Sequence, residues 1–172
     1  MNDLTYSIHE AGHCVTAFAL GVPVIDVQLC DVTQSSHCNC VLKNGVFDLP
    51  VLLGGIAAEL ILRRGPYGSA WPSGFQELSP EDWNRALRLI DKLAMQTRRE
   101  TETVIREAQT RTTEILITRW EQVRAISDAL RQRRVLSGAE AWAVFQRQSP
   151  PGVPLPVAPP KIVSRKIVRG GW

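Results

Sequence analysis

The residues of this 172-residue chain best suited to chemistry are His9-Glu10-Ala11-Gly12-His13. The pattern is H-E-x-x-H. On a helix, positions four apart lie one turn apart on the same face, so two imidazoles at this spacing can converge on one ion. Neutral imidazole nitrogen binds zinc at about 2.0–2.1 Å, and zinc lowers the pKa of a bound water to about 7. A glutamate directly after the first histidine faces the open side of such an ion. It can take a proton from the water and pass it to a leaving amine. The bland alternative is an amphipathic helix whose histidines are merely satisfied polar groups.

Two histidines do not complete a catalytic zinc site, which needs a third protein ligand. The metzincin solution, with glycine and a third histidine at fixed steps downstream, is excluded because those steps hold Thr16 and Ala19. What remains is His37, a cysteine or a carboxylate. Asp82 is the best-placed carboxylate because it opens a helix, although the helix dipole alone would favour an acid there.

The elements that must position these groups are mostly helical. Leu4 to Leu20 has helical periodicity, ended by Gly21 and Pro23. Val24 to Leu29 and Asn39 to Lys43 suggest two strands, the second followed by an Asn44-Gly45 turn signal. Leu49 to Leu62 is apolar nearly all round and reads as a buried helix. Ser79-Pro80-Glu81-Asp82 supplies an N-cap, an N1 proline and two first-turn acids for a helix to about Arg98. One long helix is expected from Glu102 to Arg133, and a capping box at Ser137–Glu140 starts a last helix to about Phe145. The fold class is therefore mainly α, with a small β element near residues 24–43. Residues 1–148 form one domain, and the proline-rich, basic segment 149–172 is expected to be a disordered tail.

Composition is that of an ordinary soluble domain, with 44% hydrophobic and 22% charged residues and a net charge of +3. That balance gives no reason to expect nucleic acid as a partner. The longest apolar stretch, Val46 to Leu62, is interrupted by Asp48, Pro50, Gly54, Gly55 and Glu59, so no membrane segment is expected. The N-terminus has no signal-peptide pattern, and the four cysteines are expected to be reduced, in a cytoplasmic compartment.

Several motifs together resemble the peptidase domain of FtsH-type AAA zinc proteases. They are Tyr6 before HEAGH, Gly54-Gly55-Ile56-Ala57-Ala58-Glu59, then Glu81-Asp82-Trp83 with Ala86, and a closing Arg134-Val-Leu-Ser-Gly-Ala-Glu140. The resemblance covers about residues 4 to 147. It implies a helical zinc-metallopeptidase fold, with Zn2+ held by His9, His13 and Asp82 and with Glu10 as the general base. It also makes Glu59 a candidate to orient a ligand histidine. Unlike that family, the chain has no G-x-x-x-x-G-K-[ST] phosphate loop and no spanning helix.

The expected function is thus a zinc-dependent metalloendopeptidase, ATP-independent in this chain, acting on peptides or unfolded protein, with a separate ATPase as an optional partner. The alternative is a zinc-dependent regulator or sensor acting on a single partner. Cys30, His37, Cys38 and Cys40 invite a second metal, but their spacing is no zinc-ribbon pair, and free cysteines around a β edge are the favoured reading. Cys14 is expected to be a small core residue pointing away from the ligands. Trp83, Trp120 and Trp142 fall on helices and suit core or interface positions, while Trp71 suits either a cleft wall or surface packing. A free strand edge would offer main-chain pairing to a peptide.

Overall fold

The fold is taken from a computed structural model that describes residues 3–30, 36–43, 45–65, 71–72, 79–149 and 152. It is mainly helical, with a three-stranded antiparallel sheet. The expected tail lies outside the described residues apart from Ser149 and Gly152, as do Asn44 of the expected turn and most of the loop before Ser79. Among the described residues no helix is long and apolar enough to cross a membrane.

Helix α1 (Asp3–Ala19) carries the H-E-x-x-H residues and is buried from Ser7 to Phe18. It ends as its sequence predicts. Gly21 has φ +70°, its N–H donates to the Phe18 carbonyl, and the Val22 N–H donates to Ala17 at 2.8 Å. This pair of bonds is a Schellman closure, available because glycine takes the left-handed conformation at no steric cost. Strand β1 (Val24–Gln28) follows, then β2 (His37–Cys40). The second strand begins and ends earlier than the sequence suggests, pairing Cys38 with Val27 and Cys40 with Val24.

Helix α2 (Asp48–Arg64) is buried from Asp48 through Ile61, as its all-round apolar character requires. It crosses α1 at very close range. A Cβ on Gly12 would overlap the Gly54 carbonyl oxygen and lie 2.6 Å from the Ala58 Cβ, and one on Gly54 would lie 2.7 Å from the Gly12 carbonyl oxygen. Only glycines let the two backbones meet there.

Helix α3 (Pro80–Thr97) packs Ala86, Leu89, Ile90 and Leu93 against α2 and α4 (Thr101–Thr118). The single long helix expected over 102–133 is instead two helices, α4 and α5 (Trp120–Arg133). The break is at Arg119 (φ −118°, ψ 26°), whose N–H still bonds back to Ile115 and whose carbonyl already starts α5. Thr118 bonds back to the Glu114 carbonyl at 2.8 Å, a contact that bends helices. The two halves then serve different partners, α4 packing on α2 and α5 on α1 and α6.

A third strand, β3 (Val135–Ser137), pairs with β1 to give the order β2-β1-β3 and was not expected. Helix α6 (Gly138–Arg147) opens with the expected capping box: Ser137 accepts from the Glu140 N–H while the Glu140 carboxylate accepts from the Ser137 N–H at 2.9 Å. Trp142 stacks on Phe145 and meets Phe18 edge-on, so it belongs to the core. The main core joins α1, α2, α5, α6 and the sheet; a second cluster lies between α2, α3 and α4.

Candidate metal centre

One turn of α1 brings the His9 and His13 rings together, their centroids 4.8 Å apart and nearly perpendicular. Each ring is oriented through its Nδ1. His9 Nδ1–H donates to Glu59 Oε1 at 2.8 Å, and His13 Nδ1–H donates to the Val51 carbonyl at 2.7 Å. Both acceptors come from α2, so the helix crossing fixes the rings. Their remaining nitrogens face one another, Nε2 to Nε2 at 3.1 Å.

Asp82, in the first turn of α3, closes the third side. Its Oδ2 lies 2.9 Å from His9 Nε2 and 3.3 Å from His13 Nε2. Among the described residues this is the only group of three or more ligand-type side chains whose donor atoms lie within 4.8 Å of one another, and it could hold a metal ion. His37 instead sits on β2 near Asp26, at 3.7 Å, so the histidine alternative for the third position falls away. The cysteine alternative falls away too, since no cysteine joins the group.

Ser79 departs from expectation. Its hydroxyl makes no cap to the backbone of α3 and donates to Asp82 Oδ2 at 2.6 Å. A carboxylate is a stronger acceptor for the hydroxyl than a backbone N–H is a donor to it. The predicted cap therefore becomes an orienting contact for Asp82.

Glu59 is fully buried and held at both oxygens, by His9 on one and by the Arg63 guanidinium at 2.9 Å on the other. Gly55 sits one turn before it. A Cβ there would overlap His9 Nε2 and Cε1 and lie 2.6 Å from His13 Nε2. The glycine pair thus has two duties: Gly54 admits the α1 backbone and Gly55 admits the imidazoles. The spacing of the pair was legible in the sequence, its division of labour was not.

The residues fit a divalent ion. Tetrahedral ligand atoms at about 2.0–2.1 Å from zinc stand roughly 3.3 Å apart. The three edges here are 2.9, 3.1 and 3.3 Å. The donor set of two imidazoles and one carboxylate leaves a fourth position open, as catalytic sites require.

In the ion-free protein burial and neighbouring charges together set the protonation of these groups. Burial works against a charged His9, but the hydrogen bonds to Asp82 and Glu59 and the nearby Glu10 outweigh it and raise its pKa to about 10. Burial also opposes a charged Asp82, yet His13 and His9 hold it well below the usual carboxylate range. Glu10 is 5% exposed, and its pKa is raised because burial outweighs the attraction of the two imidazoles.

Trp71 and Trp83 both pack on Ile56 and Leu60, which alternate along α2 with Gly55 and Glu59; Trp71 also donates to Thr113 at 3.2 Å. Cys14 is buried in the core as expected, but it also meets Cys38 of β2. No protein-family model matches the chain, and no curated protein matches it.

Proposed function

We propose that the protein is a zinc metalloendopeptidase that cleaves peptides or unfolded segments. The observation that carries this reading is the convergence of His9 Nε2, His13 Nε2 and Asp82 Oδ2, with a buried Glu10 adjoining His9 on the same helix. His9, His13 and Asp82 would hold the ion. Zinc, when bound there, supplies a Lewis acid that polarises a carbonyl and makes water a competent nucleophile near neutral pH.

The remaining work falls to the chain's own residues. Glu10 accepts a proton from the attacking water and returns it to the departing amine. A carboxyl group whose pKa is raised by burial suits both halves of that transfer better than an exposed one. Glu59 and the Val51 carbonyl fix the histidine tautomers, and Ser79 fixes Asp82, so the ligand atoms need little reorganisation. A purely structural ion would gain nothing from a glutamate at position 10.

The FtsH-type resemblance supports the same assignment, and the absence of a phosphate-loop motif from these 172 residues makes the proposed hydrolysis ATP-independent in this chain. The deciding experiment measures metal content and cleavage of unfolded casein for wild type and Glu10→Gln. Zinc in both, with cleavage only in wild type, is the expected result. Zinc in both without cleavage of casein or a broad peptide library would favour a regulator of one partner. Absence of zinc from the protein after zinc loading would overturn the reading.

A further inference from the structure

Cys14, Cys38 and Cys40 stand outside the His9, His13 and Asp82 group. Cys38 and Cys40 stand two apart on β2, hence on one face of the strand, and their cross-strand neighbours Val27 and Val24 are buried. The two Sγ atoms are 3.5 Å apart. Cys14 of α1 is fully buried and neighbours Cys38 from the core side. Cys38 and Cys40 themselves are only half-buried, on an edge strand.

Two thiols in contact can close a disulfide or share a soft metal ion, and strand geometry separates the two. Residues i and i+2 of a strand have Cα atoms about 6.7 Å apart. That is near the upper limit of about 6.8 Å for a disulfide, and the bond itself would draw the sulfurs in to about 2.05 Å. Closing it would pucker β2. An ion with metal–sulfur bonds of about 2.3 Å would hold the sulfurs roughly 4–4.6 Å apart, reached by a modest outward rotation of one side chain. A donor set of thiols in an apolar setting selects copper(I), whereas structural zinc takes four ligands.

We propose that Cys38 and Cys40 form a copper(I)-binding site, with Cys14 as the neighbouring sulfur behind Cys38. The neighbouring Cys14 thiol and burial raise the Cys38 pKa, and the contact with Cys38 and burial raise that of Cys40, so the ion-free site is a neutral dithiol. Uptake of one Cu+ by the two thiols forms two Cu–S bonds and releases two protons, with no change of oxidation state.

The test is an anaerobic titration of the reduced full chain with copper(I) against a chromophoric copper(I) chelator. One equivalent is expected to be retained, with an ultraviolet thiolate-to-copper band and a sulfur-only first shell by copper-edge X-ray absorption. Cys38→Ser and Cys40→Ser should each weaken retention more than tenfold, while Cys30→Ser and His9→Ala leave it unchanged. Failure of the wild type to compete, nitrogen in the copper shell, or equal retention by a folded Cys38→Ser chain would each overturn the proposal. The absorption measurement needs no variant, so a misfolded substitution cannot decide the matter.

Discussion

His9 Nδ1 lies 2.8 Å from Glu59 Oε1, joining residues 50 positions apart across the crossing of α1 and α2. The contact makes the presentation of a ligand nitrogen depend on a helix that supplies no ligand itself. Removing such a partner typically costs 10–100-fold in metal affinity. Glu59→Gln should therefore weaken zinc binding by about that factor in a chelator competition. Asp82→Asn, which alters an atom facing the ion, should weaken it further. Equal affinities for Glu59→Gln and wild type would remove Glu59 from the site.

Gly55 of α2 and Gly12 of α1 predict separable defects. Gly55→Ala puts a methyl against both imidazoles and should abolish zinc binding while leaving far-ultraviolet dichroism near wild type. Gly12→Ala drives a methyl into the α2 backbone and should instead lower the melting temperature, by an overpacking cost of about 1–3 kcal/mol. If Gly55→Ala bound zinc normally, the close approach of α2 to the ligands would be wrong.

The histidine pair and Glu10 could be read from spacing, because helical geometry alone puts residues 9 and 13 on one face, whereas Asp82 and Glu59 are singled out by the family resemblance. What escaped depends on contacts between distant segments. The break at Arg119 has no glycine or proline to announce it; it follows from α4 and α5 packing on different helices. Strand β3 is three residues long and exists through pairing with β1. The Ser79 hydroxyl had two possible acceptors or donors in its own turn, and the charge on Asp82 decided between them. Cys14 meets Cys38 only once β2 has been laid beside α1.

The Ser79 contact carries its own prediction. Ser79→Ala removes a hydrogen bond to a charged carboxylate while leaving the α3 start otherwise intact, since the hydroxyl makes no backbone cap. Bonds to charged groups contribute about 1.5–3 kcal/mol. Zinc affinity should fall roughly ten- to a hundredfold on that scale, with the helix content of the ion-free protein little changed. A stability loss without an affinity loss would mean that Ser79 serves the helix rather than Asp82.

Proton uptake and metal uptake must compete at His9. Its pKa in the ion-free fold is raised to about 10, against 6.5 for the free side chain. Its contribution to ion-free stability is therefore complete below about pH 6.5 and lost as the pH rises through about 10. Asp82, lowered in the fold, contributes fully above about pH 4 and loses that contribution in acid. The ion-free protein should be most stable between those limits. A bound ion needs the neutral imidazole, so at pH 7 zinc must displace the His9 proton. Calorimetric titration in buffers of different ionisation enthalpy should then report release of about one proton from this group, and the apparent zinc affinity should rise about tenfold per pH unit between pH 7 and 9. A pH-independent affinity across that interval would mean that His9 is already neutral in the ion-free fold, and that Asp82 and Glu59 do not hold its charge.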